Sequence, residues 1–178
     1  MAFDAAHRRT VLFGGGRGSP LSVMLADTWE YAPASPAAYV LFGAGCPGFA
    51  GIPSLTPNGS SLPWLGDTFT ARLDNLGGNP FLNVPFLTLG DSRATWGSFS
   101  LPLDLSFLGM LGCTAYTNSI ANYPLANVGG TATWSVQIPN DPTLAGTSFY
   151  TQAGVTAPGA NPFGVAMSNA CELKIGAK

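Results

Sequence analysis

The side chains best suited to chemistry in this chain are its carboxylates, and they are few. Nine acidic residues accompany seven basic residues and a single histidine in 178 residues. A glycosidase usually needs two carboxyl groups ~5–10 Å apart with separated pKa values. Asp67 with Asp74, Asp91 with Asp104, or Glu172 with any of these can meet in a folded sheet, and Asp141, in a turn, is the further aspartate to test. Spacing alone pairs no two of them, so a carboxylate-based hydrolase is kept as an alternative function.

The triplet Gly90-Asp91-Ser92 resembles the nucleophile motif of one class of esterases. That chemistry needs a histidine to deprotonate the serine and an acid to orient the histidine. The only histidine, His7, is remote in sequence and no Asp-x-x-His pattern follows the triplet. We therefore interpret the triplet as a turn at the end of a strand. The scarcity of acid–base groups favours a protein without catalysis.

The three cysteines predict one disulfide and one free thiol. Cys46 and Cys113 lie in glycine-flanked turns, where the backbone can reach the ~5.5 Å Cα spacing of a bridge. Cys171 lies in the predicted last strand and is expected to be a buried thiol that packs as a small hydrophobe. The cysteine spacing has no zinc pattern, so no metal is predicted. Calcium at Asp74-Asn75 or Asn140-Asp141 is the weaker alternative, because Ca²⁺ needs six to eight oxygens.

Aromatic side chains are the candidates for ligand binding, since their faces stack on the apolar faces of sugar rings. Trp64 and Trp96 lie in turn-rich segments and Tyr150 in a predicted strand, and these three are the predicted binding residues. Trp134 alternates with Val136 and is predicted to belong to the core. For each tryptophan, burial at the end of a β-sandwich is the competing interpretation.

Composition excludes several classes of protein. Basic residues are scattered, with Arg8-Arg9 the only adjacent pair, so nucleic-acid binding is not expected. Apolar stretches are far shorter than the ~20 residues of a spanning helix, so membrane insertion is not expected. A surface covered by uncharged polar residues is typical of secreted proteins and predicts an extracellular or cell-surface location. The start of the chain lacks a secretory signal, so we expect that it begins downstream of any signal or is an internal piece of a longer secreted parent.

Many short strands are expected from 23 glycines and 15 prolines in a chain that is 46% hydrophobic. The sequence predicts an all-β fold, an antiparallel two-sheet β-sandwich, with jelly-roll topology as one version of it. Phe69, Ala71 and Leu73 alternate with polar residues, as expected for a half-buried strand. The predicted strands are residues 39–43, 54–56, 68–76, 85–89, 98–103, 131–138, 146–156 and 165–175. Residues 103–111 are the only segment with a helical tendency.

Residues 1–31 differ from the rest of the chain. An apolar strand runs into Gly14-Gly15, and the next strand carries the aromatic pair Trp29 and Tyr31. This order and spacing resemble a kelch repeat. The resemblance implies a truncated blade of a β-propeller, present here as a β-hairpin remnant. Residues 32–37 contain two prolines and are predicted to be a linker.

A series of short motifs runs through nearly all of residues 38–178. They are Tyr39, Leu41-Phe42-Gly43, Gly45-Cys46-Pro47-Gly48, Pro63, Leu65-Gly66, Leu101-Pro102-Leu103-Asp104-Leu105, Gly112-Cys113, Ile138-Pro139-Asn140, Phe149-Tyr150, Gln152-Ala153 and Ser168-Asn169. Their order resembles a recurrent C-terminal β-rich module of large secreted bacterial proteins. The stretch 138–153 carries most of this resemblance, and Cys171 departs from the pattern. The resemblance implies an extracellular module without assigned catalysis and brings no functional residues with it.

These observations lead to one preferred function and two alternatives. The preferred function is a non-catalytic extracellular β-sandwich module for adhesion, assembly or carbohydrate contact. Its expected partners are glycans or other copies of itself. The alternatives are the carboxylate hydrolase and a structural spacer that packs on a propeller of the parent protein.

Overall fold

The chain folds into two compact units, Met1–Ser35 and Pro36–Lys178. The structure is a computed structural model that describes residues 2–4, 9–17, 23–31 and 35–178. His7 and the pair Arg8-Arg9, apart from the backbone of Arg9, lie outside the described residues. The boundary between the units falls within the segment 32–37 in which the sequence predicts a linker.

The first unit contains a three-stranded antiparallel sheet of β1 (Ala2–Asp4), β2 (Arg9–Arg17) and β3 (Val23–Tyr31), in that spatial order. The resemblance to a kelch repeat predicts that β2 ends at the glycine pair, and this prediction is wrong. The strand continues through Gly14 and Gly15, where the register with β3 shifts in a β-bulge. Gly14 has φ 73°, a conformation that favours glycine, so the pair serves the bulge and not a turn.

The second unit is all-β, as the sequence predicts. In chain order its strands are β4 (Ala38–Phe42), β5 (Ser54–Pro57), β6 (Thr68–Asp74), β7 (Pro85–Gly90), β8 (Thr95–Trp96), β9 (Phe99–Ser100), β10 (Leu103–Asp104), β11 (Thr114–Ala115), β12 (Ala121–Pro124), β13 (Ala132–Gln137), β14 (Ser148–Thr156) and β15 (Val165–Lys174). Two single-turn 3₁₀ helices, Ser106–Leu108 and Pro142–Leu144, complete it. The predicted strand 98–103 is divided between β9 and β10, and the sequence does not predict β8, β11 or β12.

Two antiparallel sheets form a β-sandwich. The larger has the order β12-β7-β14-β15-β4 and the smaller the order β13-β6-β5. Phe69, Ala71 and Leu73 of β6 are buried between the sheets, as their alternation predicts, and the Tyr39 ring of β4 lies 5.1 Å from that of Phe69. Trp134 of β13 is also buried, which confirms its predicted place in the core. Jelly-roll topology stays a prediction.

The larger sheet is covered on both faces, since β14 and β15 bury successive residues along most of their length. One face meets the smaller sheet. The other, which we call the outer face, is covered by residues 91–119, which we call the outer layer. A disulfide between Cys46 and Cys113 ties this layer to the segment after β4, and Cys171 is a free, buried thiol. Both cysteine predictions are confirmed.

A small polar cluster lies within the core around Cys171. Burial raises the pKa of the Cys171 thiol to about 12, and it raises the pKa of the neighbouring Tyr39 hydroxyl far above its ordinary range. Thr151 Oγ1 and the Tyr39 hydroxyl have no hydrogen-bond partner of good geometry among the described residues. Such orphaned buried oxygens cost stability, because they lose water and gain nothing in return.

Candidate functional site

A groove of about 350 Å³ lies between the outer layer and the outer face of the larger sheet. Its volume is within the range of small-molecule sites, which are concave and mostly apolar with a few polar groups. The described side chains that line the groove are all uncharged. The sheet provides one side of it and the outer layer the other.

The sheet side of the groove is built by residues that share one register. Phe86 of β7 is paired with Gly154 of β14, and Gly154 with Met167 of β15. A Cβ atom at Gly154 would collide with the outer atoms of the Phe86 ring, so the glycine leaves room for this ring beside the strand. Met167 and Val165 continue this apolar surface towards the loop that carries Phe163.

The outer layer supplies the opposite apolar wall and part of the rim. Leu105 and Met110 are buried at the base of the groove, at 7% and 2% exposure, whereas Trp96 is 42% exposed at its edge. Trp96 ends β8 and pairs with Phe99 in a short hairpin. The side chains of this wall are therefore buried at the base of the groove and half-exposed at its edge.

A row of polar side chains begins on the sheet side of the same groove and ends at Ser119, the last residue of the outer layer. Thr88 of β7 and Asn122 of β12 are direct cross-strand partners, and the Thr88 hydroxyl donates to Asn122 Oδ1 at 2.8 Å. Asn122 Nδ2 donates in turn to Ser119 Oγ at 2.9 Å. After these bonds the row still has one Asn122 N–H and the Ser119 O–H to offer a ligand. No local pattern in the sequence indicates this row, because it depends on the pairing of β7 with the unpredicted strand β12.

Gln152 holds the two sides of the groove at a fixed separation. It lies on β14 and is 1% exposed. Its Oε1 accepts from the backbone N–H of Tyr116, and its Nε2 donates to the carbonyl oxygens of Thr114 and Ser168. One side chain therefore satisfies backbone groups of both the outer layer and the sheet.

The disulfide lies directly behind the groove. The backbone N–H of Cys46 donates to the Met167 carbonyl at 2.9 Å, and that of Cys113 donates to the Met110 carbonyl at 3.0 Å. Met167 and Met110 both line the groove, one on each side. The covalent link therefore joins the two groove walls through their immediate backbone neighbours.

The Gly90-Asp91-Ser92 triplet forms the start of the outer layer. Asn118 Oδ1 accepts from the backbone N–H groups of Asp91 and Ser92, and Asn118 Nδ2 donates to the Asp91 carboxylate at 2.6 Å. A Cβ atom at Gly90 would collide with Thr117 and Asn118, which explains the glycine. Each residue of the triplet thus helps to hold the start of this layer against its end. We call this junction of residues 90–92 with residues 117–118 the neck.

The other two predicted binding aromatics have different surroundings and do not line the groove. Trp64 is half-buried, and Lys178 Nζ lies 5.9 Å from the centre of its ring. Tyr150 is half-buried against Phe42, with Arg93 5.9 Å from its ring centre. Trp96 is therefore the predicted binding residue that the structure places in a groove.

Each of the candidate catalytic aspartates has a local partner. Asp67 pairs with Lys178 at 2.6 Å, and Asp74 with Arg72 at 2.8 Å. Asp141 caps the second 3₁₀ helix by accepting from the Thr143 N–H. Hydrogen bonds from the Ser106 hydroxyl and N–H lower the pKa of Asp104. Together with Asp91 at the neck, these carboxylates hold turns and strand ends in place.

Calcium binding was the weaker alternative in the sequence, and the described residues form no cluster of carboxylates that would bind this ion. Among the described residues, no three His, Cys, Asp or Glu side chains come together as a metal site would require. Asp74 is engaged with Arg72, and the Asn75 side chain donates to the Ile52 carbonyl.

No helix in the described part of the chain is long and apolar enough to cross a membrane.

A second, smaller cavity of about 250 Å³ lies at one end of the space between the two sheets. Leu173 and Ile175 line it from the larger sheet's side and Trp134 and Val136 from β13. Leu173, Ile175 and Trp134 are buried core residues, so we interpret this cavity as an incompletely filled end of the core.

Comparisons with family models, with curated proteins and with solved structures found no match to this chain.

Proposed function

We propose that this chain is a non-catalytic, extracellular β-sandwich module that contacts carbohydrate through the groove. The observation that carries the proposal is that one groove combines Trp96 with the hydrogen-bonded row of Thr88, Asn122 and Ser119. A sugar ring has apolar C–H faces and polar edges. An aromatic face on one side and amide and hydroxyl groups on the other match these two kinds of surface.

The exposure of the Trp96 side chain supports this function further. Its 42% exposure leaves ring surface for a ligand, whereas buried Trp134 is committed to the core. The base of the groove is fixed by Gln152 and by the disulfide, so little conformational entropy is lost when a ligand enters. The disulfide also fits the oxidising environment of an extracellular protein.

The test is a glycan array followed by calorimetry on the best ligand. Trp96→Ala should weaken binding about tenfold or more, since a stacked aromatic commonly contributes over 1 kcal/mol. Asn122→Ala should weaken binding while the protein stays folded. Trp64→Ala is the matched control and should leave the affinity unchanged. Binding that persists in Trp96→Ala, or the absence of any glycan ligand, would refute the proposal.

A second function, the structural spacer, is favoured by one face of the first unit. Phe3, Leu12, Trp29 and Tyr31 share this face through the register of β1, β2 and β3, and all are exposed, from 44% to 71%. A small sheet with an uncovered apolar face is only marginally stable. We propose that this face packs on a further sheet of a longer parent, as the kelch resemblance implies.

In isolation the same face should cause self-association. Leu12→Thr combined with Trp29→Thr should abolish concentration-dependent association in sedimentation velocity experiments. Phe107→Thr, which changes an exposed phenylalanine in the outer layer, is the control. Association that is unchanged in the double variant would argue against this role.

A further inference from the structure

The chemistry of the groove restricts which sugars fit it, and the inference here rests on the proposed carbohydrate function. Three features of the groove matter: its charge, its capacity for hydrogen bonds and the character of its base.

The groove offers no charge to a charged ligand. All of its described lining side chains are neutral, and they include no lysine or arginine that would pair with a carboxylate or sulfate. A charged group transferred from water into such a site loses hydration without compensation. Acidic sugars are therefore disfavoured, and a neutral ligand is expected.

The groove also has little capacity to satisfy hydroxyl groups. Gln152 is used by three backbone groups of the protein, and the Thr117 hydroxyl is engaged by carbonyl oxygens at the neck. What remains is the indole N–H of Trp96 at the edge and the outward capacity of the Thr88–Asn122–Ser119 row. A sugar hydroxyl buried away from this row would lose its bonds to water without replacement.

The base of the groove is suited to a methyl group. Phe86 and Met167 share one face of the sheet through their common partner Gly154, Met110 lines the opposite wall, and Met110 and Met167 are 2% and 9% exposed. Methionine side chains are flexible and polarizable, so they adapt to small apolar groups. A methyl group in this position would gain dispersion contacts with each of them.

We infer that the groove binds a neutral, hydroxyl-poor sugar, in particular a 6-deoxy sugar whose methyl group packs among Phe86, Met110 and Met167 while its ring hydroxyls meet the row of Asn122 and Ser119. The sugar's ring lies beside Trp96 in this arrangement.

The experiment compares sugars that differ only at carbon 6. Calorimetry on the whole chain uses the methyl glycosides of 6-deoxygalactose, galactose and galacturonate, and of 6-deoxyglucose, glucose and glucuronate. In at least one series the 6-deoxy sugar should bind about tenfold more tightly than its parent, as expected for a methyl group in an apolar pocket. The uronate should bind most weakly.

A pair of isosteric variants tests the origin of this preference. Val165→Thr adds a hydroxyl to the groove and should bring the affinity ratio of the 6-deoxy sugar to its parent towards one. Val136→Thr adds the same group to the second cavity and should leave the ratio unchanged. Equal binding of deoxy and parent sugars through Trp96, or tightest binding of a uronate, would overturn this inference while leaving the proposed function intact. Failure of every sugar and array glycan to bind would overturn both.

Discussion

Gln152, on the middle strand of the larger sheet, accepts a hydrogen bond from the backbone N–H of Tyr116 at 2.9 Å. This bond joins the sandwich to the outer layer, and the same amide group also donates to Thr114 and Ser168. A single buried side chain therefore sets the position of the layer that forms one wall of the groove.

Gln152→Ala should lower the free energy of unfolding by about 3 kcal/mol, because it leaves buried backbone groups without partners. Gln137, the other glutamine of the chain, is exposed on β13 and provides a matched control. Gln137→Ala should cost less than about 1 kcal/mol. Urea unfolding followed by circular dichroism measures both. Equal effects of the two changes would contradict the bridging role of Gln152.

Removal of the disulfide should destabilise the protein and loosen the groove. The bridge closes a loop with a sequence separation of 67, for which loop-closure entropy predicts about 4 kcal/mol. The double variant Cys46→Ala and Cys113→Ala tests this by thermal unfolding. Hydrogen exchange should rise in residues 91–119 and stay low in β14 and β15. A uniform rise across the sandwich would show that the bridge supports the whole fold and not this layer.

Alkaline pH should destabilise the protein partly through Cys171. Burial raises the pKa of this thiol from 9.0 to about 12, so the folded state keeps a proton that the unfolded state loses. The stabilising contribution is complete below pH 9 and declines as the pH rises to 12, by at most about 1.4 kcal/mol per pH unit. Urea unfolding after a rapid pH jump should show a shallower decline in Cys171→Ala. Some decline should persist, because burial also raises the pKa of Tyr39. Identical declines in both proteins would refute the assignment.

Two threonines of β14 should respond in opposite ways to the same change. Thr151 Oγ1 is buried without a hydrogen-bond partner of good geometry among the described residues, so Thr151→Val should stabilise the protein by about 1 kcal/mol. Thr156 Oγ1 accepts from the Val84 N–H and donates to the Leu82 carbonyl, both at 2.7 Å. Thr156→Val should therefore destabilise by about 1–3 kcal/mol. Denaturant midpoints give both values, and a loss of stability in Thr151→Val would show that its hydroxyl is satisfied.

Local patterns in the sequence were sufficient to predict the sandwich itself. The alternation of Phe69, Ala71 and Leu73 identified the buried face of β6, and glycine-flanked Cys46 and Cys113 indicated the disulfide. These signals work because period-two burial and turn geometry are properties of short segments.

The groove depends on relationships that no short segment contains. Thr88 and Asn122 are 34 residues apart and meet only because β12 pairs with β7. The outer layer is built from two-residue strands with no periodicity to detect. The turn-rich surroundings of Trp96 predict an exposed binding residue, whereas the polar row beside it follows from the register of the sheet. Gln152 lies in the most specific stretch of the module resemblance, although nothing local distinguishes it from an exposed glutamine.

The chain enters the outer layer after Leu89 and Gly90 and returns at Ala121, which is the direct cross-strand partner of Leu89. The two ends of this long excursion are therefore as close as the ends of a tight hairpin. Insertions and exchanges between such ends cost little closure entropy, since that cost grows only with the logarithm of loop length. The sandwich can thus accept inserted segments of different length and sequence between Leu89 and Ala121. In this architecture a new insert changes the wall that carries Trp96 and Met110, while the sheet keeps Phe86, Thr88, Asn122 and Met167 in place. Residues 91–119 are therefore a natural segment for grafting a different wall onto the groove.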